Sequence, residues 1–220
     1  MQKACKDCAA AFQAPEDPVL CRFTVFCPDC YRKNEEKWKT EEAARIAAER
    51  ETRWAAICPP AYLLTERSKL PHPTKADEVL SWNYGPTGLI LHGKTRRGKT
   101  RCAWLLVRKV FETGKSVRVL DSMSGFQYGG AFANSGRDAQ DWIDSRARAG
   151  LLFLDDVFKV KLTDSFECAV FAIVEYRLSH QLPIVATLND TGETLASRMS
   201  SDRGDAFVAR LREMCQIIQF

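Results

Sequence analysis

Eight residues near the middle of the chain, Gly93-Lys94-Thr95-Arg96-Arg97-Gly98-Lys99-Thr100, have the types and spacing to hold a row of phosphates. In a Gly-x-x-x-x-Gly-Lys-Thr loop, successive backbone N–H groups point inward and surround phosphate oxygens. A helix starting at the end of the loop adds its positive N-terminal end. Lys99 would then reach the β- and γ-phosphates of a nucleotide, and Thr100 would ligate Mg²⁺. With Arg101, the nine residues from Gly93 onward are the expected nucleotide-binding stretch. Arg96 and Arg97 stand where many such loops carry glycine or another small residue. A loop position that needed φ > 0 would strain Arg96.

Two apolar runs end in polar groups suited to the same chemistry. Leu151-Leu152-Phe153-Leu154-Asp155-Asp156 is the Walker B arrangement. Asp155 would hold Mg²⁺ through water, and Asp156 would orient or deprotonate the attacking water. Ile184-Val185-Ala186-Thr187-Leu188-Asn189 offers Asn189 to that water or to the γ-phosphate, with Thr187 assisting. An acidic turn and a turn-capping asparagine are the plain structural alternatives. The stretch Ser201 to Arg212 is rich in arginine. An arginine contributed by a neighbouring subunit stabilises transition-state charge; a solvated helix face is the alternative.

A second chemistry lies near the N-terminus. Five of the nine cysteines fall in the first 34 residues, and Cys5-x-x-Cys8 and Cys27-x-x-Cys30 form two knuckles with 18 residues between them. That spacing suits a tetrahedral Cys₄ zinc site. A stretch this short cannot build a core, so zinc would supply its folding energy. Phe12, Phe23 and Phe26 are expected to pack around it. Cys21 is the odd member and an alternative ligand. Cys58, Cys102, Cys168 and Cys215 sit in or beside apolar segments and read as core. Lys3, Lys6, Arg22, Arg32 and Lys33 give the module a basic surface, which leaves open whether it touches DNA or protein.

The elements that must position these groups follow from periodicity. Residues 33–56 are rich in Glu, Lys, Arg and Ala and hold no Gly or Pro, which predicts a helix, stopped by Pro59-Pro60. Its apolar residues, Trp38, Ile46, Trp54 and Ile57, are sparse, so the helix reads as a solvated connector. A proline-bearing linker with Pro71 and Pro73 follows. Strands are predicted at Gly88–His92, Ser116–Leu120, Leu151–Leu154, Pro183–Leu188 and Gln216–Phe220. Helices are predicted at Thr100–Thr113, Asp138–Ala149, Phe166–His180 and Ala206–Met214. Strands alternating with helices give an α/β fold with a parallel five-stranded sheet flanked by helices. The expected division is a zinc module at 1–34, a connecting helix and linker at 35–75, and a nucleotide-binding domain at 76–220. The segment Ser122 to Ser135 carries Phe126, Tyr128 and Phe132 and could stack on single-stranded DNA, or simply pack.

Apolar residues make up 45% and charged residues 27% of the 220, as in ordinary globular chains. The net charge of +4 permits nucleic-acid binding without demanding it. No apolar run approaches the ~20 residues that span a bilayer, and Met1 to Cys8 has no secretory h-region, so a cytoplasmic protein without a membrane partner is expected. Cysteines there are more often ligands than disulfides.

Taken in order, Gly93–Thr100, Asp155-Asp156, Thr187-x-Asn189 and Arg210-Leu211-Arg212 resemble the AAA+ ATPases of the DnaC-type helicase-loader and IstB-type transposition group, over residues 85 to 220. The resemblance implies an ATP- and Mg²⁺-dependent switch that self-associates, with ATP sites between subunits. It implies action on single-stranded DNA with a replicative helicase as partner, in a bacterial or phage-infected cell. The alternative is an IstB-like regulator that acts on duplex DNA with a transposase. By this likeness Lys99 and Thr100 are the Walker A pair and Asp155 and Asp156 Walker B. Asn189 is sensor 1 and Arg210 the arginine finger, ahead of Arg203 and Arg212. The fifth strand runs to Phe220, where the sequence ends, so no C-terminal helical lid is expected. A small-molecule kinase and an adaptor without hydrolysis are further alternatives.

Overall fold

The computed structural model describes residues 1–159, 162–189, 192–199 and 201–220, with the side chains of 201 and 202 left aside. It falls into two compact units, Met1–Arg53 and Trp54–Phe220.

The first unit opens with a small antiparallel hairpin, β1 (Gln2–Ala4) and β2 (Ala11–Gln13). Cys5 and Cys8 sit in its connection, which Ala9 closes at φ 57°. Helix α1 (Pro18–Phe23) is capped by Asp17, whose carboxylate accepts the N–H groups of Val19 and Leu20. Helix α2 (Pro28–Ile57) is 30 residues long and lined by i,i+3 and i,i+4 pairs such as Lys39–Glu35 and Arg45–Glu49. It starts at Pro28 rather than at residue 33, because proline is favourable in a first helical turn. Trp38 and Ile46 are exposed, as a solvated helix requires.

Buried residues in this unit are few: Cys5, Phe12, Ala14 and Cys21. Phe12 and Phe26 pack with the cysteines as expected, whereas Phe23 is 76% exposed. Phe23 ends α1 on the turn opposite the buried Cys21, so its ring points to solvent. Cys21 stands apart from the four knuckle cysteines, its thiol 3.7 Å from the sulfur of Met1.

The second unit begins with the last turn of α2, where Trp54 packs on Trp104 and Phe111. The proline-bearing stretch is folded: it contains α3 (Pro60–Leu63), a 3₁₀ turn at Arg67–Lys69, and α4 (Pro73–Leu80). Pro60 and Pro73 occupy first-turn positions and so start helices rather than only stopping them.

The remaining elements are β3 (Gly88–His92), α5 (Lys99–Glu112), β4 (Val117–Leu120), α6 (Ser124–Asn134), α7 (Gly136–Ala147), β5 (Leu151–Asp155), α8 (Asp164–Ser179), β6 (Ile184–Leu188), α9 (Gly192–Arg198), α10 (Ser201–Met214) and β7 (Cys215–Gln219). All five strands predicted from the sequence are present and parallel, in the order β4-β5-β6-β3-β7. Five helices were not predicted as such: α1, α3, α4, α6 and α9. Each is short or glycine-bearing and lacks a long apolar stripe. Among the described residues, no helix is long and apolar enough to cross a membrane.

The sheet is buried on both faces. One face packs against α7, α8 and α10 around Leu152, Leu154, Phe166 and Phe207. The other packs against α4 and α5 around Trp104, Leu106, Phe153 and Val185. Cys58, Cys102 and Cys215 are buried, as expected of core cysteines, but Cys168 is exposed. On α8 the neighbours Phe166, Glu167, Ala169 and Val170 turn inward and leave position 168 on the outer face.

Arg177 is fully buried on α8. Its guanidinium donates to the carbonyls of Arg146, Ala147 and Ala149, at 2.8–3.1 Å, and to Pro183 at 2.6 Å. It thereby closes the end of α7 and the entries to β5 and β6. Burial pushes its pKa down to about 10.

Candidate nucleotide and metal sites

Parallel strands carry their chemistry at their C-terminal ends, and this sheet does so at the ends of β3, β5 and β6. The register sets Asp155 of β5 opposite Thr187 of β6, and Thr187 opposite Leu91 of β3, immediately before the loop. A cleft of about 690 Å³ opens there, lined by residues 95–101 together with Asp156, Lys159 and Asn189. Pockets of this size accommodate drug-sized and cofactor-sized ligands.

The loop needs both of its glycines. Gly93 has φ 145°, and a Cβ there would lie 2.4 Å from the Phe220 carbonyl oxygen. Gly98 caps α5 at φ 90°, a conformation that L side chains rarely adopt. Arg96 also lies in the left-handed region, at φ 62°. The strain foreseen for it is present: a side chain is held where glycine costs less.

Lys99 begins α5 and is 5% exposed. Its ammonium donates to Gly93 O at 2.7 Å, Lys94 O at 2.8 Å and Asn189 Oδ1 at 2.7 Å. Burial lowers its pKa, and the charge of Asp156 partly offsets that. Asn189 in turn donates from Nδ2 to Asp156 Oδ1 at 2.9 Å. Thr187, completely buried, donates to Asp155 Oδ1 at 2.7 Å and accepts the Asp156 N–H at 3.1 Å. Thr100 donates to the same Asp155 oxygen at 3.1 Å. One connected network thus joins Lys99, Asn189, Asp156, Thr187, Asp155 and Thr100. Burial raises the Asp155 carboxyl above the usual range, partly countered by its two threonine donors.

The 3.1 Å between Thr100 Oγ1 and Asp155 Oδ1 matches the ~3.0 Å edge of an octahedron with 2.1 Å metal–oxygen bonds, so these hard donors fit Mg²⁺.

The arginines stand elsewhere. Arg210 on α10 lies against the Glu175 carboxylate and over the Phe171 ring. Arg203 pairs with Glu167 at 3.4 Å, and Arg212 packs against Gly192. None of the three lines the cleft of its own chain. Arg101 does, while donating to Ala61 O and Thr65 Oγ1. Sequence reasoning missed Ala61, Tyr62, Lys69, Pro71 and Lys159, which complete the wall. Tyr62 is stacked on Trp104 and lies under the Arg101 guanidinium. The prolines at 59, 60 and 71 were the only local sign that this stretch is ordered.

In the first unit, the sulfurs of Cys5, Cys8, Cys27 and Cys30 all lie within 4.8 Å of one another, and Cys8 and Cys27 are 3.7 Å apart. A tetrahedral site with 2.3 Å Zn–S bonds has sulfur edges of about 3.8 Å. The knuckle turn and the start of α2 thus present four thiols at zinc spacing. The Cys27 backbone N–H donates to Cys5 Sγ and holds that thiol down at about 6.

No family model matches the chain, and no curated protein matches it. Solved structures do. The DnaC helicase loader superposes with a TM-score of 0.59 at 19% identity, over 74% of this chain and 99% of that one. DnaI superposes at 0.57 and 18% identity, over 74% and 90%. The replication initiator DnaA bound to AMPPCP and single-stranded DNA superposes at 0.56 and 16% identity, over 74% of this chain but 50% of that one. The chain spans 44–60% of the initiator structures it matches. With its parallel β4-β5-β6-β3-β7 sheet and glycine loop before α5, the chain has the P-loop AAA+ fold of these replication proteins.

Proposed function

We propose that the protein is an ATP-hydrolysing replication factor that delivers a replicative helicase to single-stranded DNA. The observation that carries this reading is the continuous network from Lys99 through Asn189, Asp156 and Thr187 to Asp155 and Thr100. A structural strand end has no need of two carboxylates, an asparagine and a buried lysine converging on a glycine loop. The likeness to DnaC, DnaI and DnaA supports the replication setting.

In this reading the nucleotide phosphates draw Lys99 from its loop carbonyls. Thr100 and Asp155 would hold Mg²⁺, which when bound would supply charge neutralisation for the phosphates. Asp156, fixed by Asn189, accepts a proton from the attacking water. The bond from the γ-phosphorus to the β,γ-bridging oxygen breaks, giving ADP and phosphate. Arg210, remote from the cleft of its own chain, is left for the site of a neighbouring copy, so the active form is an oligomer. On α6, Phe126 and Phe132 are 76% and 59% exposed and offer stacking faces for unpaired bases, while Tyr128 is buried. Cys5, Cys8, Cys27 and Cys30 would hold zinc, which would stabilise the first unit.

The test is a pull-down of the replicative helicase with ATP, ADP and no nucleotide, alongside steady-state ATPase assays. Wild type should retain the helicase in a nucleotide-dependent way, and Lys99→Ala should abolish that dependence. Asp156→Asn should keep ATP binding and lose roughly 10²–10⁴-fold in turnover. A helicase ignored in every nucleotide state defeats the loader reading. Retention of a transposase on duplex DNA instead would favour a transposition role.

A further inference from the structure

Lys159 is the cleft residue that the chemistry above leaves unused. It ends the 3₁₀ turn Val157–Lys159 that follows Asp155-Asp156 directly. Its backbone N–H donates to Asp156 O at 3.0 Å. Val157 and Phe158, 1% and 2% exposed, pin the turn to the core. The Phe158 ring meets Phe207 at 5.0 Å, and its carbonyl accepts from Arg198 at 2.7 Å. The root of the Lys159 side chain is therefore fixed, while the side chain is exposed and lines the same cleft as Lys99, Thr100, Asp156 and Asn189.

Most other cations around the cleft are engaged. Lys99 has three acceptors, and Lys69 is held by Glu66 at 2.7 Å. Arg101 is held by Ala61 and Thr65, and Arg97 lies 3.4 Å from His72 Nε2. Among the described residues, the Lys159 ammonium has neither an ion pair nor a hydrogen bond. A lysine is a compact, mobile point charge that can meet a phosphate from many directions. Its turn follows Asp156 directly, so its side chain joins the cleft wall from the segment that carries the Asp156 carboxylate. A terminal phosphate placed near Asp156 would be repelled by that carboxylate, and a cation three residues along the same turn offsets the repulsion.

We propose that Lys159 contacts the terminal phosphate of the triphosphate in its own subunit and so distinguishes ATP from ADP. The proposal rests on the nucleotide-hydrolysis reading above and adds to it a cis contact from the turn after Asp155-Asp156. A charge acting only on the third phosphate changes the affinity for the triphosphate and leaves the diphosphate alone.

The test measures dissociation constants for AMPPCP and ADP, with Mg²⁺, on wild type, Lys159→Met, Lys159→Gln and Lys159→Arg. Both neutral variants should bind AMPPCP roughly 10-fold more weakly with ADP affinity unchanged, and Lys159→Arg should restore most of the loss. Thermal unfolding of all four should coincide, since the side chain is exposed. Equal AMPPCP affinity in wild type and both neutral variants overturns the role of Lys159 alone. So does an equal loss for AMPPCP and ADP, which would mark a merely structural effect. A wild-type protein that binds neither nucleotide removes the nucleotide reading, and this inference with it.

Discussion

The unit from Met1 to Arg53 buries Cys5, Phe12, Ala14 and Cys21, and its longest element is a solvated helix. The unit from Trp54 to Phe220 packs both faces of a five-stranded sheet with aromatic and branched side chains. The first has too little apolar surface to offset the entropy of ordering its chain, and a metal held by its four clustered thiols would make up the difference. The second has core enough to tolerate costs at its site: a buried lysine, a half-buried carboxylate and two non-glycine residues, Arg96 and Asp156, at positive φ. In the proposed reading, stability in the first unit would come from coordination. In the second it comes from burial, and part of it is given up to keep the cleft lined with Lys99 and Asp156.

Metal removal separates the two units most sharply. Structural zinc in small modules supplies on the order of 10–16 kcal/mol. A strong chelator, or Cys27→Ser, should release one zinc ion per chain and abolish protection of residues 1–53 in hydrogen exchange. The sheet unit should melt at an unchanged temperature. Retained protection of the hairpin without zinc would break the comparison.

Arg177→Met tests the reverse case. It strands carbonyls of Arg146, Ala147, Ala149 and Pro183 and should cost roughly 3–5 kcal/mol in urea unfolding of the sheet unit. Zinc content and first-unit protection should stay as they are.

Asp155→Asn probes the stability given up at the site. The folded carboxyl is raised by burial, so its contribution to stability is present below the ordinary carboxylate range and lost as pH rises through the raised value. At neutral pH without Mg²⁺, the variant should therefore melt higher than wild type, by roughly 2–4 °C. The gain should vanish in acid, and ATP turnover should be lost. A lower melting temperature at neutral pH would show that the threonine hydrogen bonds outweigh the burial.

Arg96→Gly is the smallest effect. Relief of the left-handed strain, less the extra freedom of glycine in the unfolded chain, should stabilise the sheet unit by at most about 1 kcal/mol in calorimetry.

Much of the sheet unit was legible because its strands are short apolar runs with punctuating glycines and polar ends. Leu151–Asp155 and Ile184–Leu188 announced both their burial and the residues at their tips. The phosphate loop was legible because spacing alone encodes it, down to the strain at Arg96. The wall formed by Tyr62, Lys69 and Pro71 was not. Those residues lie more than twenty positions before the loop in sequence and meet it only through packing on Trp104 and Gly98. Phe23 and Cys168 were read as core from residue type, but helix phase turned both outward.

By itself, then, the sequence singled out the residues proposed to carry the chemistry: the glycine loop, the paired acids, Asn189 and the four cysteines, since these depend on residue type and local spacing. Tertiary structure decided how they are connected. Parallel register places Asp155 beside Thr187 and Thr187 beside the strand that leads into the loop, which local sequence cannot specify. Helix packing holds Arg210 against Glu175 and away from its own cleft, and a pinned turn brings Lys159 to it. The reason is physical: residue type fixes what a group can do, but only long-range burial and strand pairing fix what it faces.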